Sequence, residues 1–153
     1  VDERENAGTD TDASEAAANL AAPGAKQAAV EDRRGLTVLV RNAMFRRVQL
    51  MDLDKPDELG ALDKDWGYGV HEWEDTLDDY YDEHEYVNID AKARSGELFI
   101  LDESKENSEH SWKVRQIIDD SDGDHDWAIT GTVDLDTTQS SGEVVFFDYS
   151  VSN

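Results

Sequence analysis

Residues 36–51 form the longest apolar stretch of the chain, and they contain no acidic residue. Turned at about 100° per residue, the stretch puts Leu36, Leu39, Val40, Ala43, Met44, Leu50 and Met51 in one broad stripe. Val38 and Phe45 fall on the opposite side, which predicts a helix covered on more than one face. Arg47 lies inside the main stripe, where a guanidinium needs a carboxylate or an interface. Next, Pro56 followed by Asp57 and Glu58 predicts a short second helix, weakened by Gly60. A loop over residues 63–69 holds Trp66 and Tyr68. Val70, Trp73, Leu77, Tyr80, Tyr81 and His84 then recur at helical spacing, predicting a third helix from about 70 to 84 with an acidic outer face.

From residue 86 the period changes to two. Residues 86–89 and 97–101 predict short strands, the second after the Ser95-Gly96 turn. In 111–118, Trp112, Val114, Gln116 and Ile118 share a face; in 127–135, Trp127, Ile129, Gly131, Val133 and Leu135 do so. Residues 143–151 contain Val144, Val145, Phe146 and Phe147, apolar on both faces, which predicts a strand covered on both sides. Residues 119–125 around Gly123 and residues 136–142 carry turn chemistry. The expected fold is α+β: about three N-terminal helices packed on a curved antiparallel sheet of four to five strands. That element order is similar to the cone-shaped fold of nuclear transport factor 2 and its small-enzyme relatives.

Composition divides the chain. Residues 1–33 lack aromatics and any sustained apolar period, so they read as a disordered acidic linker or tail; residues 34–153 read as the folded domain. The chain has 153 residues and a formal charge of -23. Such acidity opposes long-range attraction to nucleic acid and to anionic membranes, and it suits a high-salt cytoplasm. There is no cysteine for a disulfide or a thiolate-held metal. No run approaches the roughly 18 apolar residues of a membrane span, so the expected setting is the cytoplasm, without a membrane partner.

The candidate chemistry is sparse. Asp119, Asp120, Asp122, Asp124 and Asp126 surround Gly123 as a calcium loop would. An EF-hand register, however, places Ile118 and Ile129 where carboxylates are required. We expect a hairpin turn with a solvated acidic tip and no metal site. His71, His84, His110 and His125 form no paired zinc motif. Phosphate-loop, dinucleotide, nucleophile-elbow and zincin motifs are absent, so no catalytic residue is assigned. Arg41, Arg46 and Arg47, within a basic segment that begins at Arg33 and Arg34, are candidates for a docking surface. A second reading is a stand-alone cone-fold protein, binding or transforming a small molecule in a pocket between helices and sheet. That pocket would be lined by Trp73, Tyr80, Trp112, His125 and Trp127.

Residues 39–48, from Leu39 through Arg46-Arg47-Val48, and residues 57–63, Asp57 to Asp63, carry a resemblance. It continues through Trp73 and residues 81–84, and resumes at 112–120 and 123–127. Over about residues 36–135 the chain resembles a domain of unknown function found at the C-terminal end of actinobacterial DEAD/DEAH-box helicases. The resemblance implies a non-catalytic accessory domain of an ATP-dependent RNA helicase. Its partner would be the motor of the same parent chain, with RNA reached through that parent. ATP and magnesium would belong to the motor, and this chain itself would need no cofactor.

Overall fold

The computed structural model describes residues 32–153. The expected tail, residues 1–33, lies outside them except for its last two residues, which already open the first helix. Asp32 caps helix α1 (Arg33–Asp52), its carboxylate accepting from the Gly35 N–H at 2.9 Å. This bond satisfies one of the donors left orphaned at a helix start. The buried face holds Leu36, Val40, Met44, Phe45, Arg47, Val48, Leu50 and Met51. Phe45 is therefore covered, and the Arg94 guanidinium lies 4.6 Å from its ring centroid. Val38 is not covered: it is 47% exposed, so the apolar surface of α1 wraps only one way.

Helix α2 (Pro56–Asp63) starts on its proline, as a first-turn proline should, and a turn of 3-10 helix follows at Lys64–Trp66. Gly60 has a packing role. A Cβ there would stand 2.5 Å from the backbone N of Val70, so α2 crosses the start of α3 (Val70–Glu83) at closest approach. Trp73, Thr76, Leu77 and Tyr80 form the buried face of α3. Tyr81 ties it to α1, donating to the Met51 carbonyl at 2.7 Å.

The sheet has four antiparallel strands in the order β1 (Phe99–Asp102), β2 (Ser111–Ile117), β3 (Ala128–Asp134) and β4 (Phe146–Ser152). Two short helices join them, α4 (Glu106–Glu109) before β2 and α5 (Leu135–Ser141) before β4. The fold is α+β as expected, with helices mostly preceding strands. The inner face carries Trp112, Val114, Gln116, Ile129, Val133 and Phe146 against the helices.

Three local expectations are corrected. Residues 86–89 do not form a strand: only Val87 pairs, with Asp120, and the Asp90 carboxylate then turns the chain by accepting from the Ala93 N–H. Residues 136–142 are not an open turn but lie on α5 and its cap. Asp134 caps that helix through the Thr137 N–H, and Gly142 ends it at φ +79°. Strand β4 begins at Phe146, and its outer face is open, with Phe147 43% exposed.

A bulge in β4 positions the core. Thr132 opposes Phe147 and Thr130 opposes Ser150, so β4 spends one residue more than β3 between these pairs. Asp148, at φ +49°, lies within that stretch. The extra residue reverses the alternation, so Phe146 and Tyr149 both point inward. Gly131 makes room for them: a Cβ there would lie 3.2 Å from each ring. Among the described residues no helix is long and apolar enough to cross a membrane.

Candidate functional site

Three polar features concentrate charge or hydrogen-bonding groups, and the first lies in the core. Asp63, the last residue of α2, is fully buried. Its Oδ1 accepts from Arg47 Nη2 at 2.8 Å, Arg47 Nε at 3.2 Å and Trp66 Nε1 at 2.8 Å. Its Oδ2 accepts from Tyr149 Oη at 2.6 Å and Trp73 Nε1 at 3.1 Å. Arg47 spends another donor on the Ala43 carbonyl and lies 5.5 Å from the Phe146 ring centroid. Burial, then the Asp63 charge, push the Tyr149 hydroxyl well above its ordinary range. A carboxylate offers about four lone-pair positions, and donors already occupy them. Asp63 is a structural hub with no acceptor left for a substrate proton. Arg47 is thereby removed from the docking candidates: it is 6% exposed and committed to Asp63.

The second feature is the loop between β2 and β3. Asp120 accepts from the backbone N–H groups of Asp122, Asp124 and His125 at 2.9, 3.0 and 2.6 Å. Burial would raise its carboxyl, but these bonds and the His84 charge outweigh it and hold Asp120 below the usual carboxylate range. His84, at the end of α3, inserts its ring among these acids: Nδ1 lies 2.7 Å from Asp122 and Nε2 3.0 Å from Asp126. Asp119 and His125 form a separate pair at 2.8 Å. His84, Asp120, Asp122 and Asp124 bring ligand-type atoms within 4.8 Å of one another. Both imidazole nitrogens of His84 face carboxylates.

The third feature is the solvent face of α1. Arg34 and Arg46 are exposed, and Arg46 stands 3.8 Å from Glu58. Arg41 is half-buried; it donates to the Arg94 carbonyl at 3.0 Å and lies 5.4 Å from the Phe99 ring centroid. Arg94 and Val38 are exposed as well, and at about 100° per residue Arg46 lies about a third of a turn round the helix from Arg34 and Arg41.

Trp73, Tyr80, Trp112 and Trp127, expected to line one pocket, are buried together in the hydrophobic core. Tyr80 and Trp127 meet, with ring centroids 5.6 Å apart, while Trp73 packs on Tyr68. Trp112 lies at the opposite end of β2 from the loop that holds His125. Their polar atoms are spent inside the protein: Trp73 on Asp63, Trp112 on Glu106, Trp127 on Glu83 and Tyr80 on the Tyr86 carbonyl. With Trp66 on Asp63, every indole of the chain donates to a carboxylate. A shallow depression of about 320 Å³ lies on the outer sheet face instead, lined by Ile100, Lys113, Arg115, Thr130, Thr132 and Asp148 among others.

Sequence reasoning missed Asp63, Tyr149 and the partners of His84. Asp63 is one acid among many in its stretch. The inward turn of Tyr149 depends on a bulge that strict alternation cannot anticipate. The apolar face around Arg47 was the one legible signal, since it required a buried partner without naming it.

Residues 1–151 match the family described as "Domain of unknown function (DUF3516)", and the chain belongs to that family. The match extends beyond the 36–135 resemblance at both ends. No match is found among the curated proteins or the solved structures.

Proposed function

We propose that this domain is a non-catalytic accessory domain of an ATP-dependent DEAD/DEAH-box RNA helicase and docks on its motor through the solvent face of α1. The observation that carries the reading is the segregation of charge. A chain of charge -23 keeps one long helix whose only acid is its terminal Asp52. On that helix, Arg47 neutralises Asp63, whereas Arg34, Arg41 and Arg46 remain on or near the solvent side with Val38. Arginine forks suit planar carboxylates, so an acidic patch on the motor is the expected counterpart. RNA contact is left to the motor, because the domain's net charge opposes it. The uptake of the aromatic set into the core and the saturation of Asp63 favour this reading over the small-molecule one.

The test compares the full helicase with versions lacking residues 36–153 or carrying Arg34→Glu with Arg46→Glu. We expect altered RNA-stimulated ATPase and unwinding in both, with the charge reversal also weakening capture of the isolated motor by the domain. Unchanged rates and RNA affinity on deletion would sink the accessory reading. Unchanged capture by the reversed variant would remove α1 from the contact.

A further inference from the structure

His84 stands at the junction of the helical layer and the sheet. Its backbone leaves α3 in an extended conformation, with the N–H still bonded to the Tyr80 carbonyl at 2.9 Å. The side chain then runs into the β2–β3 loop and is 2% exposed. Nδ1 faces Asp122 Oδ2 at 2.7 Å and Asp120 Oδ1 at 3.5 Å, while Nε2 faces Asp126 Oδ1 at 3.0 Å. An ionised carboxylate only accepts, and a neutral imidazole carries one N–H. Neutral His84 would turn a bare lone pair toward Asp122 or Asp126. The protonated ring satisfies both, so the geometry itself selects the imidazolium.

We propose that His84 is a proton-gated latch: its imidazolium ties the Asp122 and Asp126 side chains of the 119–126 loop to the end of α3 at once, and loss of one proton frees one of the two.

The surroundings support the charged form from each side. On α3, Glu83 is engaged by Trp127 and Asn153, and the Tyr80 ring centroid lies 5.3 Å from that of His84. Glu85 follows, its backbone N–H held by Ser121 Oγ. The loop contributes Asp120, Asp122, Asp124 and Asp126, while Asp119 is paired with His125. Burial pulls the His84 value down, but the bonds to Asp122 and Asp126 and the Asp120 charge more than offset it, leaving the value raised. Tyr80 is held protonated by burial and by these same acids.

One tie can be released without opening the domain. The loop is held independently by the Ile118 N–H on the Trp127 carbonyl, the Val87–Asp120 bridge, the Asn88 N–H on Asp119 and the Glu85 N–H on Ser121 Oγ. The Asp122 and Asp126 side chains are 58% and 43% exposed and face His84.

The experiment is an NMR titration of the 153-residue chain between about pH 5 and 9, following the His84 ring and the side-chain carboxyl carbons of Asp122 and Asp126. We expect a His84 midpoint above the ordinary value of about 6.5. Both ring nitrogens should carry protons below that midpoint. Above it, one ring nitrogen should lose its proton, and the carboxyl resonance of Asp122 or Asp126 should shift with the same midpoint while α1 stays protected from amide exchange. Asp122→Asn, at an exposed side chain, should lower the midpoint without unfolding the chain. A midpoint at or below the ordinary value, a midpoint unmoved by Asp122→Asn, or carboxyl resonances indifferent to the His84 proton would each overturn the latch.

Discussion

Replacing Asp63 with asparagine tests the hub, because the side chain keeps its shape while one acceptor oxygen becomes a donor. The Oδ1 position faces three donor atoms, two from Arg47 and one from Trp66, and the Oδ2 position faces Trp73 and Tyr149. The new amide would turn its NH2 toward the second pair, since the Tyr149 hydroxyl can rotate to accept. The Trp73 N–H has no such freedom and is left against a donor. The Arg47 guanidinium, 6% exposed, loses its counter-charge. Stranding one member of a buried pair costs about 3–5 kcal/mol, and an unsatisfied buried donor about 1–3 kcal/mol. These overlap, so we expect a loss of about 3–5 kcal/mol against a total stability of about 5–15 kcal/mol. At roughly 4 °C per kcal/mol for a chain of this size, Tm should fall by about 12–20 °C. Thermal and urea unfolding followed by circular dichroism would measure this, with tryptophan emission reporting the change at Trp66 and Trp73. A loss below about 1 kcal/mol would refute the argument, because a carboxylate so replaceable cannot be the counter-charge of a buried arginine.

Gly60→Ala sets helix propensity against packing. Alanine favours the helix by about 1 kcal/mol, but its Cβ would lie 2.5 Å from the Val70 backbone, which cannot yield as a side-chain tip can. Overpacking of about 1–3 kcal/mol should therefore win; a raised urea midpoint would disprove the close approach. Stability should also peak in weakly acidic solution. Asp120 is held low, so its contribution is complete above the ordinary carboxylate range and is lost as pH falls through its folded value. His84 is raised, so its contribution is complete below about 6.5 and is lost as pH rises through its folded value. A urea midpoint flat from about pH 4 to 9 would contradict both assignments.

Much of the architecture was legible because it follows from short-range periodicity. The 3.6-residue period located α1 and α3, and the two-residue period located β2 and β3 with their inner faces, since each reports the geometry of its own segment. Where local signals compete, the reading failed in understandable ways. Residues 136–142 were read for their polar turn residues, although Asp134 and Gly142 supply the two ends of a helix. Phe147 was expected under cover because its neighbours are apolar, but no second layer exists on that side among the described residues.

The sequence by itself determined that Arg47 needed a carboxylate or an interface, that His84 would lie on the apolar stripe of α3, and that the fold would be helices on an antiparallel sheet. Only the tertiary structure decided which acids answered. Asp63 lies 16 residues from Arg47 and 86 from Tyr149, and Asp122 lies 38 from His84. In so acidic a chain, residue type cannot distinguish one carboxylate from the next. The choice follows from where the α2–α3 crossing at Gly60 and the β4 bulge bring the side chains, and those are properties of packing between distant segments.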